Sequence, residues 1–215
     1  SSNTFSVTAT GGGLSYQWQV STDGGVSFTN ITGAIASTYD LTGITIGQNN
    51  NQYQVVVTGS CPGTATSVPA ILAVGNAPSI TAQPTDVITC DGATASFSAT
   101  ASGSGLSYQW QVSTGFSLFA DIPGATSATY AFTATTALSS NRYRVIITSA
   151  TCATPSTSDV AQLTVNALPA IVDQPASATL CAGSDVTFTA AASGTNITYQ
   201  WQVSTDGGVS FSNIS

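Results

Sequence analysis

The sequence contains no histidine, no methionine, no lysine and no glutamate, and charged side chains make up 5% of its 215 residues. Ordinary soluble domains carry about a quarter. The cations are Arg142 and Arg144, every acid is Asp, and the net charge is -7. Without a basic patch the chain cannot neutralise phosphates, which excludes nucleic acid as a partner. The same deficit excludes docking on anionic lipid. No apolar run approaches the roughly 18 residues of a membrane helix, and no export signal begins at Ser1, so any targeting segment is expected outside this stretch. A serine nucleophile would need a base, and neither His nor Lys is present. No cofactor is expected.

Ser, Thr, Asn, Gln and Gly are abundant instead, and they recur in a pattern. The string YQWQVSTDGGVSF occurs unchanged at Tyr16 to Phe28 and at Tyr199 to Phe211, and YQWQV stands again at Tyr108 to Val112. The spacing is a period of about 91 residues. Phe5, Phe97 and Phe188 keep that period, as do Cys61 with Cys152, Cys90 with Cys181, and Pro78 and Pro84 with Pro169 and Pro175. Three copies follow: residues 1–75, incomplete at the leading end; 76–167, complete; and 168–215, ending after its third strand or the start of its fourth.

Within a copy, apolar and polar residues alternate with the period of a half-buried strand. Tyr108, Trp110 and Val112 alternate with Gln109 and Gln111; Tyr143, Val145 and Ile147 alternate with Arg142, Arg144 and Ile146. Turn residues such as Asp23-Gly24-Gly25 and Cys90-Asp91-Gly92 separate these runs. The chain is expected to be all-β: tandem antiparallel β-sandwiches of seven or eight short strands each. Trp18, Trp110, Trp201, Tyr53 and Tyr143 are the expected core anchors.

A Trp on the third strand and Asn-Arg-Tyr143-Arg-Val145 on the sixth resemble an immunoglobulin-like domain, with Tyr53 and Tyr143 where that family has its tyrosine corner. Where the family's inter-sheet disulfide would lie, this chain has Val7 opposite Val55 and Ala99 opposite Val145. More narrowly, Gln-Pro near the start, Cys-x-Gly before the second strand, Tyr-Gln-Trp-Gln-Val, and a Cys after the sixth strand resemble Ig-like repeats of very large secreted proteins of Bacteroidetes-type bacteria. Many of those are cell-surface adhesins, some tied to gliding and exported by a type IX system. The resemblance implies an extracellular or cell-surface place.

It also implies a topology for the cysteines. Four Cys with no His and no Cys-x-x-Cys pair suit disulfides rather than a metal. In an Ig-like domain Cys90 and Cys152 stand at opposite ends, roughly 20 Å apart, beyond the roughly 7 Å that a disulfide spans. The expectation is an inter-domain link, with each Cys90-type residue meeting the Cys152-type residue of the following copy; Cys61 and Cys181 are the equivalents in their own copies. The linkers Gly75-Asn76-Ala77-Pro78 and Asn166-Ala167-Leu168-Pro169 leave little slack, so a semi-rigid rod is expected, growing by roughly 40 Å per copy.

Isolated Asp residues before Gly are turn formers, not a glycosidase pair, and no Asp-x-Asp cluster offers a calcium site. The candidate binding face is the polar side of the third and sixth strands: Gln17, Gln19, Gln52 and Gln54 in the first copy, Gln109, Gln111, Arg142 and Arg144 in the second, with Phe116 at a hairpin tip. Asn30, Asn196 and Asn213 open Asn-x-Ser/Thr triplets that chance explains in so Ser/Thr-rich a chain. Two functions follow: a stalk segment whose partners are neighbouring copies and a surface or secretion assembly, or a set of modules that bind glycan or protein through the Gln-rich face. The copies keep their buried residues while Gln52 and Gln54 become Arg142 and Arg144, which favours the stalk.

Overall fold

The computed structural model describes residues 2–115 and 117–214. The first copy forms β1 (Ser2–Ser6), β2 (Ser15–Ser21), β3 (Thr29–Asn30), β4 (Thr38–Thr42), β5 (Gln52–Thr58), β6 (Thr64–Thr66) and β7 (Ala70–Ile71). The second forms β8 (Ser79–Ala82), β9 (Val87–Cys90), β10 (Thr94–Ser98), β11 (Thr100–Ser102), β12 (Leu106–Ser113), β13 (Ala120–Asp121), β14 (Thr129–Thr133), β15 (Arg142–Ser149), β16 (Ser156–Thr157) and β17 (Ala161–Asn166). The third forms β18 (Ala170–Asp173), β19 (Ala191–Ser193), β20 (Gln202–Val203) and β21 (Ser212–Asn213). Chain contacts gather into two compact units, Ser1–Ala82 with Thr100–Tyr108 and Ile146–Thr157, and Gln83–Ala99 with Gln109–Val145 and Ser158–Ser215.

In the first unit β1 pairs with β4, and a second sheet runs β3-β2-β5-β6 with β7 also on β5. Alternation along β2 and β5 sends Trp18, Tyr53, Val55 and Val57 inward. Phe5 and Val7 pack from the facing strand, so small and medium apolar groups fill the place of an inter-sheet disulfide. Phe5 stacks on Tyr53 with ring centroids 4.9 Å apart. The same unit contains β8 paired to β11.

In the second copy β10 pairs with β14, and the larger sheet runs β13-β12-β15-β17-β9. Phe97 and Tyr143 stack at 4.6 Å, and Ala99 and Val145 are buried. One pair departs from the antiparallel expectation: β9 runs parallel to β17, with Val87 to Cys90 facing Leu163 to Asn166 in register. This follows from β9 crossing from the side of β10 to close the edge of the opposite sheet.

Of the expected core anchors, Trp18, Trp110, Tyr53 and Tyr143 are buried, at 4%, 0%, 3% and 3% exposed; Trp201, in the sequence context of Trp18, is 41% exposed in the 168–215 stretch.

Candidate functional site

The Gln residues of the repeated string do not stand free in water. Gln17 donates through Nε2 to the carbonyls of Trp18 and Ile31, both at 2.9 Å. Gln109 does the same to Trp110 and Ile122 at 2.9 Å, and Gln200 to Trp201 and Ile214 at 3.0 Å. This amide closes the hairpin in every copy, because a two-residue strand such as β3 or β13 offers too few ladder bonds to hold itself. The next Gln repeats the logic sideways: Gln19 donates to Asn30 Oδ1 and accepts from Gln54, and Gln111 donates to Asp121 Oδ1 and accepts from Arg144 Nε at 2.8 Å. Arg144 also lies 4.1 Å from the centroid of Phe119, a cation–π contact. Arg142, half-buried, faces Gln162 across β15 and β17. The candidate face is therefore an internally bonded polar ladder. Alternation reveals which side a residue takes, but not that its amide is already engaged. Phe116, the tip aromatic, lies outside the described residues.

Several of the acids are engaged as well. Asp23 accepts from the hydroxyl and N–H of Ser27, from the Ser21 hydroxyl and from Val26 N–H, which holds its carboxyl far below the usual range. Asp206 repeats these contacts with Ser210, Ser204 and Val209. Gly24 and Gly25 follow at φ 79° and 93°, which side chains rarely adopt. Asp91 accepts from Thr136 N and Asp86 from Gln162 N. Among the described residues no cluster of three or more His, Cys, Asp or Glu could hold a metal, and no helix is long and apolar enough to cross a membrane.

A groove of about 770 Å³ in the first unit is lined by Val7, Ala9, Leu14, Val57 and Ala65. Thr8, Thr10, Ser60, Thr64, Thr66 and Ser67 line it as well. Cys61, Cys90, Cys152 and Cys181 are free thiols, Cys152 being half-buried and the rest exposed.

The family described as a domain of unknown function (DUF8696) matches residues 1–76 and again 79–167, more than half of the chain. The chain belongs to the DUF8696 family. Each match holds one YQWQV strand and one polar ladder, so the Gln contacts are features of DUF8696 copies within this chain. The chain is also 37% identical over 138 residues to Endoglucanase C of Cellulomonas fimi, a match covering 63% of the chain and 12% of that protein. Among solved structures it is similar to an I-band fragment of titin, with TM-score 0.64 at 16% identity, covering all of this chain and 76% of that one. A mutated variant of the same titin domains gives 0.61 at 17% identity, covering 75% of that chain. These likenesses establish an immunoglobulin-like fold for the DUF8696 copies.

Proposed function

We propose that the chain is a non-catalytic, force-bearing spacer of a long repetitive protein secreted to, or displayed on, a bacterial cell surface. The observation that carries this reading is the parallel pairing of β9 with β17. β9 lies near the start of the complete copy and β17 runs into the following linker, so tension applied at the copy's two ends slides these strands in opposite directions. Their four facing residue pairs then bear load together rather than peeling one at a time.

The linkers support the same reading. Asn76 N–H donates to Ser104 Oγ and Ser104 N–H returns a bond to Asn76 O, at 3.1 and 3.2 Å. Ala167 and Thr195 repeat the exchange at 2.8 and 3.1 Å. Both linkers are thus pinned to the copy that follows. The match to Endoglucanase C covers a small share of that protein, which suits an accessory module. The narrower resemblance to type IX-exported, gliding-associated adhesins of Bacteroidetes-type bacteria supplies the surface setting. Neighbouring copies of the same chain and a surface or secretion assembly are the proposed partners. A glycan- or protein-binding role for the Gln-rich face is disfavoured because its amides serve the hairpin.

Pulling the full chain by its ends in single-molecule force spectroscopy tests this proposal. The complete copy should rupture in one event with a length gain of about 265 Å, from roughly 90 residues drawn out at about 3.4 Å each less the roughly 40 Å that the folded copy spans. Extension without a resolved rupture overturns the force-bearing reading.

A further inference from the structure

We propose that successive copies are joined by a disulfide between the Cys90-type residue of one copy and the Cys152-type residue of the next. Each of the two linkers presents one half of this site. At the first, Cys152 directs its thiol at the carbonyl of Gly75, with Sγ 3.1 Å from the oxygen. At the second, Cys90 stands directly across from Asn166 in the β9–β17 ladder, and Asp91 N–H bonds the Asn166 carbonyl at 2.9 Å. Gly75 and Asn166 are one period apart, the same position in consecutive copies.

The surroundings of that position are built alike. Asn76 with Ser104 and Ala167 with Thr195 make the same reciprocal hydrogen bonds. Gly103 approaches the Ala77 carbonyl and Pro78 as Gly194 approaches the Leu168 carbonyl and Pro169. Wherever both halves occur at one linker, the two cysteines flank a single residue: one lies across a strand pair, about 4.8 Å between strands, and the other is in contact with its carbonyl. The strand spacing is that of Cys90 and Asn166; the bond further requires the Cα atoms of the two cysteines to come within about 4.4–6.8 Å of each other. Within one copy the same residues serve different linkers, so Cys90 and Cys152 of this chain do not pair with each other.

Bond formation removes one proton and one electron from each thiol. A disulfide oxidant such as oxidised glutathione accepts both electrons and both protons and leaves as two thiols. The product staples each linker to the next copy and adds a covalent link parallel to the peptide chain. This inference does not rest on the spacer reading, because an array of binding modules would carry the same bond.

The test is a full chain with a second copy of residues 76–166 inserted after Asn166, incubated with oxidised glutathione and mapped by mass spectrometry without reduction. The insert adds two cysteines to the four present. The expected result is one cross-linked peptide pair joining Cys90 of the original copy to the inserted Cys152, with the other four thiols still titratable, and loss of the cross-link in the variant with Cys90→Ser in the original copy. Six titratable thiols in the folded protein, or a bond between Cys90 and Cys152 of one copy, overturn the proposal. The unmodified chain gives a second reading that does not depend on the insertion folding. Cys152, seated on Gly75, should react with iodoacetamide at least about threefold more slowly than exposed Cys61. Equal rates mean that the seat is not formed and likewise overturn it.

Discussion

Replacing Trp110 by Ala should remove a large share of the second copy's stability. The indole is 0% exposed, lies 6.3 Å from Phe97 and 6.4 Å from Tyr130 between ring centroids, and donates through Nε1 to the Ser127 carbonyl at 2.9 Å. Truncating a buried Trp costs about 3–5 kcal/mol in lost burial and residual cavity. Losing a donor to a backbone carbonyl places this site toward the upper part of that range. A single domain holds together by about 5–15 kcal/mol, so the variant copy should sit near its unfolding threshold. Urea unfolding followed by circular dichroism and by the resolved amide signals of β12 and β15 measures the change. A loss under about 1 kcal/mol at Trp110 would refute the assignment of the core.

Gln109→Ala loses two hydrogen bonds to backbone carbonyls and should destabilise the hairpin by about 1–3 kcal/mol, seen as faster amide exchange around β13 and in urea unfolding. Asp23 and Asp206 should titrate below the ordinary carboxylate range in a carboxylate NMR titration, since Ser27 and Ser210 lead the donors that lower their values. A carboxyl whose folded value is depressed stabilises the fold fully above its unfolded value, near 3.9. That contribution is lost as the pH falls through the folded value, and Asp23→Asn should abolish this part of the acid dependence. A Cβ at Gly75 would collide with Thr151 and press on Ser104, so Gly75→Ala should speed amide exchange at Asn76 and Ser104. On a glycan array the full chain should give no saturable binding.

The repeat, the strand rhythm and the immunoglobulin-like core were legible because they depend on local pattern: an inward Trp every period, alternation on either side of it, and Asp-Gly-Gly where the backbone must turn. What the pattern hid depends on partners distant in sequence. Trp18 packs in one core cluster with Tyr39, Val55 and Val57, 21 to 39 residues on, and its own string gives no sign of them. The Gln face read as open to solvent because alternation assigns a side and not a bond; the receiving carbonyls, Ile31 and Ile122, lie 14 and 13 residues on. The parallel β9–β17 pair could not be read at all, because neither strand announces a neighbour some 75 residues away.

The force-bearing claim rests on that pair, and one substitution isolates it. Leu163 N–H and Val165 N–H bond Asn141 O and Ser139 Oγ on one side of β17, while Gln162 N–H bonds Asp86 on the β9 side. Alternation therefore turns Thr164 N–H toward β9, where Thr164 faces Ile88. Thr164→Pro deletes that donor while the Thr side chain it replaces is exposed. When the full chain is pulled by its ends, the rupture of about 265 Å should occur at clearly lower force in the Thr164→Pro chain than in the unaltered chain. An unchanged rupture force in a variant that still folds would contradict the account.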